Sequence, residues 1–380
     1  MDKALLSKTA AAMVAKGKGL LAADESSATC ETRFKSVGVE CTEENRRAYR
    51  GLLFTTPGVE QYLSGVILFD ETLRQKTNDG VPFGDYLAKK GILPGIKVDA
   101  GAKDMALHPG EKVTEGLDNL PKRLSEYFKL GARFAKWRAV ITIGEGIPSH
   151  ACIYANAHAL ARYAAACHEA SIVPIIEPEV LLDGNHSIER CEEVTDATLR
   201  ACYAAICQDA SIVPMIEPEV LLDGDHTIER CEEVTEATLR ATYAACAAYN
   251  VSAEHLILKT SMVVSGKSNS RQAGVDEVAE RTVRVLKRTV PAAQPGIVFL
   301  SGGQSDEAAT AHLNAMAAMK GLPWPLTFSY SRALQNTALK TWRGQAGNVV
   351  AAQKAFHHRA QMNGLAAQGK WKADLEKQAA

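Results

Sequence analysis

The feature that most constrains this chain is a nearly perfect internal repeat. Residues 171–200 read SIVPIIEPEVLLDGNHSIERCEEVTDATLR, and residues 211–240 read SIVPMIEPEVLLDGDHTIERCEEVTEATLR, an offset of 40. The copies differ at Ile175/Met215, Asn185/Asp225, Ser187/Thr227 and Asp196/Glu236, all mild changes. Stacked-repeat architectures need about three or more units to bury a continuous core, and this chain has two. The repeat therefore reads as a tandem duplication, 171–210 followed by 211–250, inside some other fold.

Each copy spells one strand–loop–helix unit. SIVPIIEPEV is short, apolar and rich in β-branched residues, which suits a strand buried on both faces. Ser187 or Thr227 can cap the helix of its copy, and Glu189, Glu192 and Glu193 favour a helix N-terminus. Ile188, Cys191, Val194, Thr198, Cys202 and Ala205 then recur at helical spacing. Further strands are expected at Gly19–Asp24, Val66–Phe69, Gly95–Asp99, Phe134–Arg138, Leu256–Met262, Gly296–Ser301 and Thr327–Arg332, most of them separated by helical stretches. That alternation implies a parallel sheet with crossovers.

One copy of the repeat brings the strand count to that of a closed (β/α)8 TIM barrel, and both copies exceed it by one. Strand number, shear and tilt are linked in a barrel. The expectation is therefore an eight-stranded ring with one copy extruded. The 380 residues then read as a single domain, with a tail from about 345 to 380.

Composition narrows the function classes. Forty-three basic residues against 44 acidic ones give a net charge of −1, which argues against a nucleic-acid or membrane-surface partner. No apolar run approaches the ~20 residues of a membrane span, and the opening MDKALLSKTAAAMVAKGKG lacks the apolar core of a signal peptide. Nine cysteines with no CxxC or HExxH spacing point to a reduced, cytoplasmic chain without disulfides or a zinc site. His357 and His358 are adjacent on an expected helix, so their rings diverge, and they read as surface residues.

Buried parallel strands should be apolar, yet these carry charges late in their length: Asp24, Lys97, Lys136, Arg138, Glu177 or Glu217, Lys259 and Arg332. In a barrel the C-terminal strand ends form the active-site face. Lys259 follows Leu256, Ile257 and Leu258, so desolvation, helped by Lys136 nearby, should lower its pKa toward that of a nucleophilic amine. Such an amine can form a Schiff base with a ketone, an electron sink that needs no metal or organic cofactor. A purely structural Lys–Glu pair fits the same spacing. Glu177 and Glu179 share a face, as do Glu217 and Glu219, so one carboxylate can shuttle protons while the other pairs with a lysine. SGGQS, with Ser301, Gly302 and Gly303, ends a strand before a helix that starts near Asp306, a place where backbone N–H groups can cradle a phosphate. Arg332 can grip the same anion.

In order along nearly the whole chain, GLLAADES, GIKVD, FAKWR, VPIIEPEVLLDG, LILK, FLSGGQS and FSYSRALQ resemble class I fructose-bisphosphate aldolase. The resemblance implies a (β/α)8 barrel, usually a homotetramer, that reversibly cleaves fructose 1,6-bisphosphate to dihydroxyacetone phosphate and glyceraldehyde 3-phosphate in glycolysis and gluconeogenesis. It makes Lys259 the Schiff-base lysine and Asp24 the residue that handles the proton of the cleaved hydroxyl. Lys136 stabilises charge at the reacting carbons. The first Glu of EPE is the acid–base for carbinolamine dehydration, and the second, Glu179 or Glu219, supports the lysines. Ser301, Gly302 and Arg332, with Arg33 nearby, meet one phosphate, while Lys97 and Arg138 meet the other.

Three departures stand out. Thr260 follows the lysine where the family often has proline, and Ser331 stands where glycine or alanine is common. The chain ends in EKQAA where many members carry a tyrosine that aids proton transfer. Competing readings are an inactive aldolase-like scaffold and another Schiff-base lyase of transaldolase type. Spacing does not choose between the copies, since Lys136 to Glu177 and Glu217 to Lys259 are nearly equal intervals. The short unbroken link to the Lys259 strand favours Glu217 as the acid–base.

Overall fold

The computed structural model describes residues 1–181, 186–206, 215–218, 224–248 and 251–379. Its strands are β1 (Gly19–Ala23), β2 (Leu63–Leu68), β3 (Leu93–Lys97), β4 (Ala102–Asp104), β5 (Lys112–Thr114), β6 (Phe134–Thr142), β7 (Val173–Leu181), β8 (Met215–Ile216), β9 (Ile257–Thr260), β10 (Gly296–Phe299) and β11 (Leu326–Tyr330). The first helices are α1 (Lys3–Met13), α2 (Ser27–Lys35), α3 (Glu43–Phe54), α4 (Asp70–Arg74), α5 (Phe83–Lys89) and α6 (Leu120–Lys129). They continue as α7 (His150–Glu169), α8 (Ile188–Ile206), α9 (Ile228–Ala248), α10 (Val275–Thr289), α11 (Asp306–Ala317), α12 (Arg332–Trp342) and α13 (Val349–Ala366). Every strand expected from the sequence forms. The β4–β5 hairpin is an addition outside the barrel.

All ring strands pair in parallel, in the closed order β1-β11-β10-β9-β8-β7-β6-β3-β2. Neither copy of the repeat is extruded, and the barrel has nine strands instead of eight. The reason lies in the flanks. The first copy keeps one native edge, with β7 matched to β6 from Phe134↔Val173 through Thr142↔Leu181. The second keeps the other, with Met215↔Ile257 and Ile216↔Leu258 joining β8 to β9. The new seam pairs the copies with each other, Ile175↔Met215 and Ile176↔Ile216. Extrusion would instead expose a set of Ile, Val and Leu side chains, each forfeiting about 1.5–3 kcal/mol of burial.

Side chains alternate in and out along each strand. Leu20, Ile67, Phe134, Val173, Ile175, Met215, Ile257 and Val298 fill the barrel interior, and Leu6, Ala10 and Met13 of α1 pack onto them. Gly95 makes room for the Phe134 ring, since a Cβ there would collide with the ring carbons. Helix α13, within the segment read as a tail, buries Phe356 and Arg359 and packs on α12, α11 and α3. His357 and His358 are half-buried, not surface residues: the first packs edge-on to Tyr62, and the second lies 3.1 Å from Glu376.

The outer seams differ between the copies. In the second, Glu232 is buried and takes Arg284 at 3.0 Å and Arg281 at 2.6 Å, tying α9 to α10. Its counterpart Glu192 is exposed. We expect Glu232→Ala to cost about 1–3 kcal/mol, because two guanidinium groups lose a partly buried partner, while Glu192→Ala stays within about 0.5 kcal/mol. Paired urea melts measure the difference, and equal losses would contradict the placement of the two copies.

Candidate active site

The top interior layer of the barrel is charged. A cavity of about 730 Å³ opens there, lined among others by Asp24, Lys97, Lys136, Arg138, Glu177, Glu217 and Lys259. Ser301, Gly302, Arg33 and Arg332 line it from the arc formed by β10, β11 and α2. Lys97 and Arg138 belong to the arc of β3 and β6, several strands away on either path around the ring.

The lysines reach this layer by the same alternation that fills the core. Phe134 points inward, so Lys136 and Arg138 do too. Ile257 points inward, so Lys259 does too. Between them, Ile175 and Met215 place Glu177 and Glu217 one layer above. The Glu217 N–H donates to the Ile176 carbonyl at 3.1 Å, which holds the end of β8 in register.

Two lysine–carboxylate pairs result. Lys259 is 4% exposed and in direct hydrogen-bonding contact with Glu217, itself 2% exposed. Lys136 lies 3.0 Å from Glu177 and 3.8 Å from Asp24. Arg138 spans Glu179 at 2.7 Å and Glu177 at 3.6 Å. Burial opposes the charge on Lys136, but Glu177, Asp24 and Glu217 outweigh it and hold the ammonium well above its ordinary range. Burial and the adjacent Glu177 push Glu217 up from 4.5 to about 7, against the pull of Lys259 and Lys136.

Most of the residues expected from the sequence meet here. Arg332 opens α12 instead of ending a strand, because β11 stops at Tyr330. Gly303 takes a φ of 73° in the turn after β10 and, like Glu179, does not line the cavity. Ser305 caps α11, accepting from the Ala308 N–H at 3.1 Å. Glu219 lies outside the described residues.

Two supporting carboxylates escaped the sequence reading. Asp99 pairs with Lys97 and accepts from the Gly101 N–H at 3.0 Å. Glu25 binds Arg33, Gln335 at 2.9 Å and Ser331 at 3.1 Å. The signal was present in GIKVD and AADES, where each stands a residue or two beyond one already singled out. Among the described residues, no group of His, Cys, Asp or Glu forms a metal-binding cluster, and no helix is long and apolar enough to cross a membrane.

A parallel α/β barrel with a buried lysine beside a carboxylate at its C-terminal rim has the parts of a lyase site that works through an amine. The family described as fructose-bisphosphate aldolase class-I matches residues 5–205 and again 197–380. The chain is 57% identical to a probable fructose-bisphosphate aldolase class 1 of Xanthomonas campestris pv. campestris, over 97% of this chain and 98% of that one. It is 48% identical to the cytosolic fructose-bisphosphate aldolase 4 of Arabidopsis thaliana, over 95% of this chain and 82% of that one. A solved structure of fructose-bisphosphate aldolase from Plasmodium falciparum, in complex with TRAP and a small molecule inhibitor, superposes with a TM-score of 0.79 at 42% identity, covering 98% and 96% of the two chains. The chain belongs to the class I fructose-bisphosphate aldolase family, whose members are metal-independent lyases.

The Glu217 carboxyl holds its proton up to about pH 7, where an ordinary glutamic acid has lost it. We expect an infrared band of a buried neutral carboxyl that is present at pH 6 and fades as pH rises through about 7. Its persistence in Glu217→Gln would assign the proton elsewhere.

Proposed function

We propose that this chain cleaves fructose 1,6-bisphosphate reversibly to dihydroxyacetone phosphate and glyceraldehyde 3-phosphate, through a Schiff base on Lys259. The observation that carries the reading is the buried Lys259–Glu217 pair, in one cavity with Lys136 and Asp24. The Lys259 amine adds to the C2 carbonyl. Glu217 gives a proton to the departing hydroxyl as the carbinolamine becomes an iminium ion. Asp24 takes the C4 hydroxyl proton while the electrons of the C3–C4 bond move into the iminium, leaving an enamine. Lys136, held as an ammonium, offsets negative charge that develops at the reacting oxygens.

Cations on separated arcs of the rim suit a substrate with a phosphate at each end. Ser301, Gly302, Arg33 and Arg332 serve one phosphate, with Gly303 shaping the turn behind them, and Lys97 and Arg138 the other. Arg33, Lys97 and Arg138 each rest against a carboxylate, Glu25, Asp99 and Glu179 respectively. The phosphates replace those partners or share them.

The repeat reads as an internal duplication, a reading supported by the two overlapping matches of one family. Relatives named as cytosolic support a cytoplasmic enzyme of glycolysis and gluconeogenesis. The family resemblance supports a homotetramer.

Borohydride reduction in the presence of dihydroxyacetone phosphate is expected to fix an adduct on Lys259, located by peptide mass mapping. Lys259→Met should lose the adduct and lower turnover by about 10³-fold or more. An unmodified Lys259 in the parent protein would overturn the Schiff-base reading. Turnover of fructose 1-phosphate equal to that of the bisphosphate would overturn the two-phosphate reading.

A further inference from the structure

Pairing between β7 and β8 runs without stagger, so equivalent residues of the two copies lie side by side: Ile175 opposite Met215 and Ile176 opposite Ile216. The next residues inward are Glu177 and Glu217, both buried and both lining the cavity. Each faces a different lysine, Glu177 toward Lys136 of β6 and Glu217 toward Lys259 of β9. The remaining charges around Glu217 are Lys136 and Glu177 themselves, and Asp24 beyond β1 reaches Lys136. In the least exposed layer of the cavity, Lys136 and Lys259 thus stand against three carboxylates, Asp24, Glu177 and Glu217, while Arg138, Arg33, Lys97 and Arg332 lie nearer its mouth. A buried cluster with one carboxylate in excess takes up a proton, because like charges at short range do not all ionise.

We propose that Glu177 is a positioning residue made by the repeat: it holds Lys136, and its charge keeps a proton on Glu217, which is thereby ready to act as the acid at Lys259. The inference rests on the Schiff-base reading above. In it the two copies of the EPE segment divide two tasks, and neither is a spare. Glu217 is the member whose oxygen meets the reacting amine. Each glutamate has one buried oxygen without a hydrogen-bond partner among the described residues, so the contact with Lys259 is what sets Glu217 apart. Glu177 acts through its neighbours. Its loss removes a negative charge beside Glu217 and leaves Lys136 countered by Asp24 alone, so Lys259 and Lys136 draw the proton off Glu217 at lower pH.

The test is the rate of borohydride-trapped adduct formation from dihydroxyacetone phosphate as a function of pH, with fructose 1,6-bisphosphate turnover beside it. In the parent protein the trapping rate falls as pH rises through about 7, where Glu217 loses its proton. Glu217→Gln should slow trapping by about 10²-fold or more. Glu177→Gln should trap within about threefold of the parent rate at pH 6, move the falling limb down by about one pH unit, and lower bisphosphate turnover by about tenfold. Glu177→Asp, which retains the charge on a shorter arm, should restore the limb. A variant lacking 171–210 keeps Glu217 without its neighbour and should show the lowered limb even if Glu177→Gln fails to fold. A parent adduct with an unshifted limb in both Glu177→Gln and the deletion would overturn the division of labour alone, as would parent-rate trapping in Glu217→Gln. No adduct in the parent protein would overturn the Schiff-base reading and this inference with it.

Discussion

Strands β7 and β8 lie side by side so that Ile175 and Ile176 of one copy meet their own counterparts, Met215 and Ile216, in the other. For apolar positions this is harmless, since Ile175 beside Met215 packs as two core side chains do. At the next inward position the same register sets Glu177 beside Glu217, and like charges on neighbouring strands repel. The pairing survives because a lysine flanks each carboxylate on its outer side, Lys136 on β6 and Lys259 on β9. Fold and chemistry meet at that one register. A slip of one residue in β8 would turn Glu217 out of the cavity and bring Ile216 to the inner face.

Widening the ring costs little where a repeat supplies its own edges. Each copy keeps the neighbour that its sequence already matched, and only the seam between copies is new. That seam is short in strand terms, because β8 spans Met215–Ile216, but α8 packs on α9 outside it. The contrast between buried Glu232 and exposed Glu192 shows the same logic on the outer layer. Identical sequence acquires different partners, since Arg281 and Arg284 on α10 face only the second copy.

Much of this was legible in the sequence. Apolar runs placed every ring strand, and charges late in those runs marked the rim, because a parallel strand buried on both faces carries a Lys136 or a Lys259 only where a partner or a task awaits it. The ring size was not legible. Lys136 to Glu177 and Glu217 to Lys259 are nearly the same interval, so local spacing is satisfied whether one copy or both enters the barrel. Closure is a property of all nine pairings at once. Asp99 and Glu25 went unseen for a related reason: each acts by holding another side chain, Lys97 or Arg33, and such roles appear only once loops fold back over the strand ends.

The ninth strand changes the site by spacing. In an eight-stranded ring one EPE strand would lie between the strands of the two lysines, and a single carboxylate would have to face both. Here two strands intervene, and each lysine has a carboxylate of its own. A carboxylate shared between two ammonium groups gives up its proton at lower pH than one that faces a single ammonium group. Two adjacent carboxylates serving one lysine each disfavour joint ionisation, which makes one of them a better acid near neutral pH. The widening that separates the lysines thus also moves the proton inventory of the site toward the value that iminium formation needs, and it does so with no residue type that the single EPE unit lacks.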